Sequence, residues 1–118
     1  VIDDFAILSA NVLVHQFCHI GSYVMVGGGT RTAQDVPPFC IASREPVAYC
    51  GLNMVGLKRR NFPMDVINAL HAAYLILYQN SKLFNDRIAE IRETVMPCKE
   101  IDYLLEFLTN SKRGFIGR

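Results

Sequence analysis

The sequence predicts a β + α protein: the last coils of a parallel β-helix built from hexapeptide repeats, followed by a small C-terminal helical bundle. Two observations carry this prediction. An aliphatic residue and a small residue recur every six positions through the first third of the chain, and from Asn61 onward apolar residues recur at the period of an α-helix. The predicted division is residues 1–38 for the coils, 39–60 for a connecting segment with a short basic helix, and 61–118 for a helical domain.

The hexapeptide pattern is counted in sixes from Ile2. A period of six is typical of a β-helix, in which short parallel strands alternate with tight corners. The first column is expected to fill the interior and the fifth to fit the corners. The pattern weakens at Thr32 and is expected to stop at Pro37 and Pro38, because proline cannot continue a ladder, with one last short strand over 39–42. The first column is Ile2, Leu8, Val14, Ile20, Val26 and Thr32, and the fifth is Ala6, Val12, Cys18, Val24, Thr30 and Val36.

Six hexads at three per coil make two coils, whereas a solenoid generally needs about three or more repeats and terminal caps. The first coil begins without a capping element. The sequence therefore predicts that further coils precede it in a longer protein.

The rest of the chain predicts a turn over 43–46, a short helix over 51–60, and three longer helices. Asn61 is a candidate cap and Pro63 suits a first helical turn. The helices are expected to run to about Gln79, from Ser81 to the stop at Pro97, and from Glu100 to Leu108. Residues 114–118 are expected to fray. The expected inward residues are Val66, Leu70, Ala73, Tyr74 and Leu77, then Leu83, Ile88, Ile91 and Val95, then Ile101, Leu104, Leu105 and Leu108.

Composition excludes several function classes. Lys and Arg number 12 against 11 Asp and Glu, a net charge of +1, which excludes a generally basic nucleic-acid binder. No apolar run is long enough to span a membrane. The four cysteines lack the CxxC spacing of a zinc or redox site, so free thiols in a reducing cytoplasm are expected, with neither a metal nor a cofactor. These cysteines are Cys18, Cys40, Cys50 and Cys98.

Three histidines are candidates for chemistry. His15 and His19 lie in one hexad outside the aliphatic column, where each is either a polar residue of a subunit interface or a substrate contact or proton carrier. The pair lacks a third metal ligand. His71 falls within the first long helix, where a structural role is expected.

Two further motifs suggest ligands. The run Gly27 to Gly29 has no following Lys-Ser/Thr, so it is not a phosphate loop. It serves either corner geometry or an open groove for a ligand. The cations Lys58, Arg59 and Arg60 follow Asn53 closely, and suit either a solvated helix end or an anion such as a diphosphate.

The sequence closely resembles the C-terminal half of the acyl-[acyl-carrier-protein]–UDP-N-acetylglucosamine O-acyltransferase family. The resemblance covers the whole chain and implies a homotrimer with a left-handed parallel β-helix. It also implies transfer of a 3-hydroxyacyl chain from acyl carrier protein to the 3-hydroxyl of UDP-N-acetylglucosamine, the first step of lipid A synthesis. The segments that carry it are Val14-His-Gln-Phe-Cys18, Val24-Met-Val-Gly-Gly28, Ala33-Gln-Asp-Val-Pro-Pro38, Gly56-Leu-Lys-Arg-Arg60 and Ser111-Lys-Arg-Gly-Phe-Ile.

The resemblance also assigns roles residue by residue. The implied acyl groove contains Met25 and Gly28, with Gly28 limiting acyl length. Val55 and Pro46 depart from residues that some members carry near the nucleotide. The family's general-base histidine belongs to a His-x-x-His-Asp segment that this sequence lacks, so no catalytic residue is assigned and the chain alone is expected to be inactive. The implied substrate-binding residues are His15, Gln16, Asn53, Arg59 and Arg60.

Two alternatives stay open. One is a non-enzymatic module for trimerisation and docking of acyl carrier protein, because an acidic partner suits a cluster of cations. The other is a different hexapeptide-repeat enzyme, either a small-molecule acetyltransferase or a metal-dependent β-helix carbonic anhydrase, and the missing third metal ligand argues against the latter. The cations are Lys58, Arg59, Arg60, Lys112, Arg113 and Arg118.

Overall fold

The computed structural model describes residues 1–10, 12–14, 16–79, 82–111 and 114–118. It contains short strands followed by helices, in the predicted order. The strands are β1 (Ile7–Leu8), β2 (Leu13–Val14), β3 (Met25–Val26), β4 (Arg31–Thr32), β5 (Cys40–Ser43) and β6 (Ala48–Leu52). The helices are α1 (Met54–Arg59), α2 (Met64–Leu77), α3 (Phe84–Thr94) and α4 (Lys99–Thr109).

The strands stack as a parallel β-helix whose first coil takes 18 residues. Ile7 pairs with Met25 and Leu13 with Arg31, both in parallel register. A third column is formed by single bridges from Ile2 to Ile20 and onward to Val36. Three strand columns per coil, spaced by about six residues, are what the hexapeptide pattern predicts.

The second coil is two residues shorter than the first. Ile20 bridges to Val36, and Met25 pairs with Ile41, so both steps take 16 residues. The two residues are lost between β4 and Val36. The spacings from Ile20 to β3 and from β3 to β4 are the same as the corresponding spacings in the first coil. Val36 therefore occupies the position of an interior first-column residue, although counting in sixes puts it in the fifth column.

The interior columns are buried where a coil has a neighbour on both sides. Ile20 and Val26 are fully buried, while Ile2 in the first coil is 52% exposed. Leu8 and Val14 are half-buried and pack against the core cluster. The prediction that the first column faces inward is confirmed, and burial increases from the first coil to the second.

The expectation that the parallel ladder stops at Pro37 and Pro38 is wrong. β5 pairs in parallel with β3 after both prolines, so a third coil begins with this strand. The chain then turns over 44–47, and β6 returns antiparallel to β5. This reversal, six residues beyond the prolines, ends the parallel stacking. The alternative of one more strand over 39–42 is confirmed.

The helices pack against the coils through α2 and α4. α2 packs against both α3 and α4, and its residue Tyr74 donates a hydrogen bond to the carbonyl of Pro38 at 2.5 Å. α2 begins at Met64, with Pro63 at the cap position and without a side-chain cap. The candidate start of the second helix at Ser81 lies outside the described residues.

The final segment is docked instead of frayed, so that expectation is wrong. Phe115 bridges to Asp35 in parallel, and Ile116 is fully buried. Tyr78 donates its hydroxyl to the carbonyl of Ile116 at 2.9 Å, and the amide of Tyr49 donates to the carbonyl of Gly117 at 2.7 Å. These contacts are distant in sequence, so the local composition of the segment gives no sign of them.

A buried carboxylate joins this segment to the coils. Asp35 is 4% exposed, and it accepts hydrogen bonds from the amide of His19 at 2.7 Å and from the hydroxyl of Ser111 at 2.6 Å. Its own backbone pairs with Gly114 and Ile116. Asp35 therefore connects the coils to the end of α4 and to the final segment.

None of the helices in the described part of the chain is both long and apolar enough to cross a bilayer.

Candidate functional site

Three aromatic rings stack along one corner of the β-helix. The ring centroids of Phe5 and Tyr23 lie 5.0 Å apart, and those of Tyr23 and Phe39 lie 5.8 Å apart, both nearly parallel. All three residues have φ near +60°, a left-handed conformation that costs a non-glycine residue about 1–2 kcal/mol. The aromatic stack (Phe5, Tyr23 and Phe39) therefore marks a repeated corner, and the ring contacts offset part of that cost.

Helix α1 begins at this corner because Asn53 attaches it there. The Asn53 side-chain amide donates to the carbonyl of Tyr23 at 3.0 Å, and its oxygen accepts from the amide of Gly56 at 3.2 Å. The Asn53 backbone amide donates to the carbonyl of Phe39 at 2.9 Å. A Cβ on Gly56 would lie 2.5 Å from the Asn53 side-chain nitrogen, so the glycine leaves room for this cap.

Helix α1 ends in two hydrogen bonds that fix the position of Arg60. The amide of Asn61 donates to the carbonyl of Lys58, and the amide of Phe62 donates to the carbonyl of Leu57, both at 3.1 Å. With Asn61 at φ 59°, this is a Schellman ending. The expectation that Asn61 caps the start of the next helix is therefore wrong, because it ends the previous one.

The side chain of Arg60 connects the C-terminal end of α1 to the aromatic stack. Its guanidinium carbon lies 4.2 Å from the ring centroid of Phe5. Both ends of α1 thus contact the same stack, through Asn53 at Tyr23 and Phe39 and through Arg60 at Phe5. The helix is positioned by the coil corners more than by its own six residues.

The basic triplet (Lys58, Arg59 and Arg60) is exposed. Within the described part of the chain, no carboxylate forms an ion pair with any of the three. Lys58 and Arg59 fall in the last turn, where cations interact favourably with the helix carbonyls. Three unpaired cations at a fixed helix end can bind an anion of more than one charge.

A pocket of about 460 Å³ opens beside Arg60. Its walls are aromatic, and Tyr103 closes one side by accepting a hydrogen bond from the amide of Ser22 at 2.8 Å. Burial raises the pKa of Tyr103 to about 12, so it stays a neutral hydroxyl at neutral pH. Lys99 and Glu100 contribute one positive and one negative charge to the lining of this pocket. The lining includes Ser22, Tyr23, Phe39, Arg60, Phe62 and Tyr103.

The predicted site residue Asn53 is placed differently from the two arginines. It is 5% exposed, and both its side-chain donor and its acceptor are used within the protein. Arg59 and Arg60 are exposed at the opposite end of α1. Asn53 therefore holds the start of the helix that carries the arginines. A direct contact between Asn53 and a ligand stays a prediction.

The predicted acyl-groove residue Met25 lies in an outward-facing apolar column. Its ladder partners are Ile7 in the first coil and Ile41 in the third. Met25 is 39% exposed and Ile7 is 55% exposed. The three side chains share one face of the β-helix, and this face offers apolar surface to a flexible chain.

Gly28 is exposed and differs from its glycine neighbours. A Cβ added at Gly28 would meet its nearest atom, the carbonyl oxygen of Ala10, at 3.4 Å, an ordinary contact. Among the three neighbouring glycines only Gly29 has positive φ, 76°. Corner geometry therefore does not require a glycine at 28, and the open-groove interpretation stays a prediction.

The remaining predicted residues are scattered. His15 lies outside the described residues, and Gln16 is exposed in a turn between β2 and Cys18. The ring of His19 lies 4.5 Å from that of Phe107, and its Nε2 atom lies 2.8 Å from a carboxylate oxygen of Asp3. His19 therefore joins the coils to α4.

A second pocket, of about 320 Å³, lies under the β5–β6 turn. His71 lines it and is exposed, in contrast to the structural role expected for it. Arg44 and Arg118 are also in the lining, as are Tyr49, Cys50 and Tyr74.

The rings of Tyr49, Tyr74 and Tyr78 stack beside this second pocket, with centroids 4.7 to 6.1 Å apart. Burial raises the pKa of Tyr49 to about 12 and raises the pKa of Tyr74 and Tyr78 well above their usual range. Burial likewise raises the pKa of the Cys40 thiol. These groups stay protonated. Cys40 and Tyr74 belong to the core, and Tyr49 and Tyr78 pack against it.

The aromatic stack is the part of the site that the pattern analysis missed. A signal for it exists in the fourth column of the hexads, which holds Phe5 and Tyr23. Phe39 joins the same column once the count restarts at Val36, as the shortened second coil requires. Aromatic residues that recur after 18 and then 16 residues are therefore the signal that finds this corner.

Comparison with known proteins assigns the chain to a family. The family model described as "Udp N-acetylglucosamine O-acyltransferase; Domain 2" matches residues 35–116. A curated relative from Thiobacillus denitrificans, an acyl-[acyl-carrier-protein]–UDP-N-acetylglucosamine O-acyltransferase, is 40% identical over 115 residues. That match covers 98% of this chain and 45% of the relative. A Burkholderia lata protein of the same name is also 40% identical, with the same coverage.

Solved structures agree with the sequence relatives. A UDP-N-acetylglucosamine acyltransferase from Bacteroides fragilis superposes with a TM-score of 0.95 at 49% identity, over 98% of this chain and 45% of that one. The enzyme from Francisella novicida gives 0.91 at 31% identity, over 99% and 43%. These likenesses confirm the predicted fold class as part of a left-handed β-helix of hexapeptide repeats. The chain spans about half the length of the relatives it matches, and it belongs to the UDP-N-acetylglucosamine O-acyltransferase family.

Proposed function

We propose that this chain is the C-terminal part of an enzyme that transfers a 3-hydroxyacyl chain from acyl carrier protein to the 3-hydroxyl of UDP-N-acetylglucosamine. The observation that carries the proposal is the match of nearly the whole chain to acyltransferases of that name. The chain supplies binding surfaces for the nucleotide and the acyl chain. The general base comes from a histidine in a segment that this sequence does not contain.

The nucleotide-binding part of the proposal rests on the basic triplet. A diphosphate carries two negative charges, and exposed guanidinium groups bind phosphate oxygens through paired N–H donors. Arg59 and Arg60 lie at the C-terminal end of α1, and Asn53 attaches the N-terminal end of the same helix to the coils. His15 and Gln16 are proposed to contact the same substrate, near the sugar and the acyl chain.

The acyl-binding part of the proposal rests on the apolar column of Ile7, Met25 and Ile41, together with Gly28. An exposed column of aliphatic side chains can cover a hydrocarbon chain, and methionine adapts to its shape. Gly28 leaves the surface open where a side chain would obstruct it. The acyl chain is proposed to follow this face and to end near Gly28.

The family resemblance supports further proposals about assembly and location. The protein is proposed to be a cytoplasmic homotrimer that acts in lipid A synthesis, with clefts between subunits as active sites. The helices after residue 61 are proposed to form a three-helix bundle, and the division at residues 38 and 60 stays a prediction. Acyl carrier protein is the proposed donor, attracted by exposed cations such as Lys58 and Arg118.

Arg60→Ala in the complete protein tests the nucleotide site. The diphosphate keeps its charge during acyl transfer, so losing this contact should raise KM for UDP-N-acetylglucosamine about tenfold and leave kcat nearly unchanged. Arg92→Ala, an exposed arginine in the last turn of α3, is the matched control and should change neither constant. A steep fall in kcat at constant KM would contradict the assignment of Arg60.

Gly28→Met tests the acyl groove in the complete protein. The added side chain should occupy the end of the groove, and each methylene that it displaces is worth roughly 0.8 kcal/mol. The kcat/KM for long 3-hydroxyacyl donors should fall by about a hundredfold, whereas short donors should lose little. Equal losses for all donor lengths in a folded trimer would remove Gly28 from the acyl site.

Calorimetric titration separates the enzyme from the alternatives. The complete protein should bind both UDP-N-acetylglucosamine and acyl carrier protein. Binding of the carrier protein without the nucleotide would favour the docking module, and binding of zinc without either would favour a metal-dependent hexapeptide enzyme.

A further inference from the structure

Arg60 is held by an aromatic ring instead of by an acid. No carboxylate in the described part of the chain forms an ion pair with its guanidinium, which lies over the Phe5 ring at 4.2 Å. A carboxylate partner would occupy the N–H donors of the guanidinium and offset its charge. A ring attracts the cation through its π face and leaves the donors free for phosphate oxygens.

The position of the Phe5 ring is itself determined by the coils beneath it. Phe5 has φ 60° and stacks on Tyr23, which has φ 59° and stacks on Phe39. Phe62, which follows the end of α1, meets both lower rings edge-on, with centroids at 4.9 Å from Tyr23 and 6.0 Å from Phe39. The same stack therefore fixes the ring and the backbone that carries Arg60.

Exposure separates Phe5 from the other two rings of the stack. Phe39 is 2% exposed and belongs to the core, whereas Phe5 is 50% exposed. A half-exposed ring contributes little to the core, so its contact with Arg60 can be removed at a modest cost in stability. This makes Phe5 the ring whose role is separable by mutation.

We propose that Phe5 is a positioning residue for substrate binding: it holds the Arg60 guanidinium over its ring face, with the N–H donors free for the anionic group of the sugar nucleotide. This inference rests on the function proposed above. It assigns Phe5 no contact with the reacting atoms. The expected consequence is a preorganised cation, so that less side-chain freedom is lost when the diphosphate binds.

The first measurement tests the contact without activity. Ring currents from Phe5 should shift the Arg60 Nε–H resonance upfield in the NMR spectrum. The shift should vanish in Phe5→Leu, which keeps apolar volume without a ring, and persist in Phe5→Tyr. An Arg60 resonance at the same position in all three proteins would overturn the inference.

The second measurement is a double-mutant cycle in the complete protein. Phe5→Leu should raise KM for UDP-N-acetylglucosamine about two- to fivefold at unchanged kcat, the size expected of an exposed cation–π contact. Phe5→Tyr should restore the wild-type KM. In the Arg60→Ala background Phe5→Leu should add nothing, while in the Arg59→Ala background it should act in full.

The control for general damage is Phe84→Leu in α3, which removes a ring contact with Phe115 of the final segment. It should leave KM unchanged. An additive effect of Phe5→Leu and Arg60→Ala, or a fall in kcat alone, would overturn the role of Phe5. A wild-type protein that fails to bind the sugar nucleotide would instead overturn the proposed function, which the NMR arm does not test.

Discussion

The first and second coils of the β-helix share one hexapeptide pattern, but their interior side chains are buried to different extents. Ile2 and Ile20 are paired in one column, yet Ile2 is 52% exposed and Ile20 is fully buried. Leu8 is half-buried, and its partner Val26 is buried completely. The second coil lies between the first coil and the strand β5, whereas the first coil has described neighbours on one side only.

This contrast shows that a solenoid pattern determines which way a side chain points, but not how much of that side chain is buried. The hexad column decides which side chains point inward, because the strand and corner geometry repeats. How far each inward side chain is shielded from water depends on whether another coil stacks against it along the axis. The same reasoning applies to Phe5 and Phe39, which share one stack but are 50% and 2% exposed.

Matched truncations in the two coils should have the largest effect on stability. Ile20→Ala should cost about 2–5 kcal/mol, the usual range for a buried isoleucine. In the 118-residue chain by itself, Ile2→Ala should cost under about 1 kcal/mol, because its side chain already contacts water. Urea unfolding of both variants measures the difference. A cost at Ile2 as large as that at Ile20 would show that another coil or another subunit covers the first coil in solution.

The second-largest expected effect is a loss of folding stability at alkaline pH. Burial raises the pKa of Cys40, Tyr74 and Tyr78 in the folded protein. The stability due to each group is therefore complete below its unfolded pKa and is lost as the pH rises above about 9 for the thiol and about 10 for the phenols. Each fully buried group should contribute a slope of about 1.4 kcal/mol per pH unit.

The measurement is the urea midpoint from pH 7 to pH 11, with Tyr78→Phe as the comparison. The midpoint of the wild type should stay level to about pH 9 and then fall. Tyr78→Phe should fall less steeply above pH 10. Equal slopes for both proteins would contradict the burial of Tyr78. Tyr49, with a pKa of about 12, should contribute less because it is only partly buried.

Sequence patterns predicted the regular parts of this fold and missed the parts made by distant contacts. Column burial at Ile20 and the helices α2 to α4 follow from local periodicity, although Leu83, expected to face inward, is 76% exposed before α3 begins. The docking of Ile116 does not, because it depends on Asp35 and Tyr78 far away in the chain. The count in sixes also failed at Val36, since two residues are missing from the second coil and a fixed period cannot show that.

For the candidate site, the sequence identified the charged residues and left out their supports. The basic triplet is visible as a run of letters, and the structure leaves it exposed as an anion site requires. The cap formed by Asn53 and the ring of Phe5 under Arg60 depend on α1 lying against the coil corners. Neither follows from spacing along the chain.

The smallest expected effect compares two adjacent glycines of the second coil. A Cβ on Gly27 would lie 2.7 Å from the hydroxyl oxygen of Ser43 and 3.2 Å from its Cβ, so the Ser43 side chain must move. Gly27→Ala should cost about 1–3 kcal/mol through overpacking. Gly28→Ala should change stability by less than about 0.5 kcal/mol, because its nearest contact is ordinary.

Ser43→Ala provides the control for this pair, because it removes the hydroxyl that an added Cβ at Gly27 would meet. The cost of Gly27→Ala should shrink in the Ser43→Ala background, while Gly28→Ala should stay neutral in both. Thermal unfolding of the three single and two double variants measures these differences. A large loss from Gly28→Ala would return this glycine to corner geometry. A neutral result means that the backbone does not require a glycine at position 28, so the surface left open there is free to serve an acyl chain.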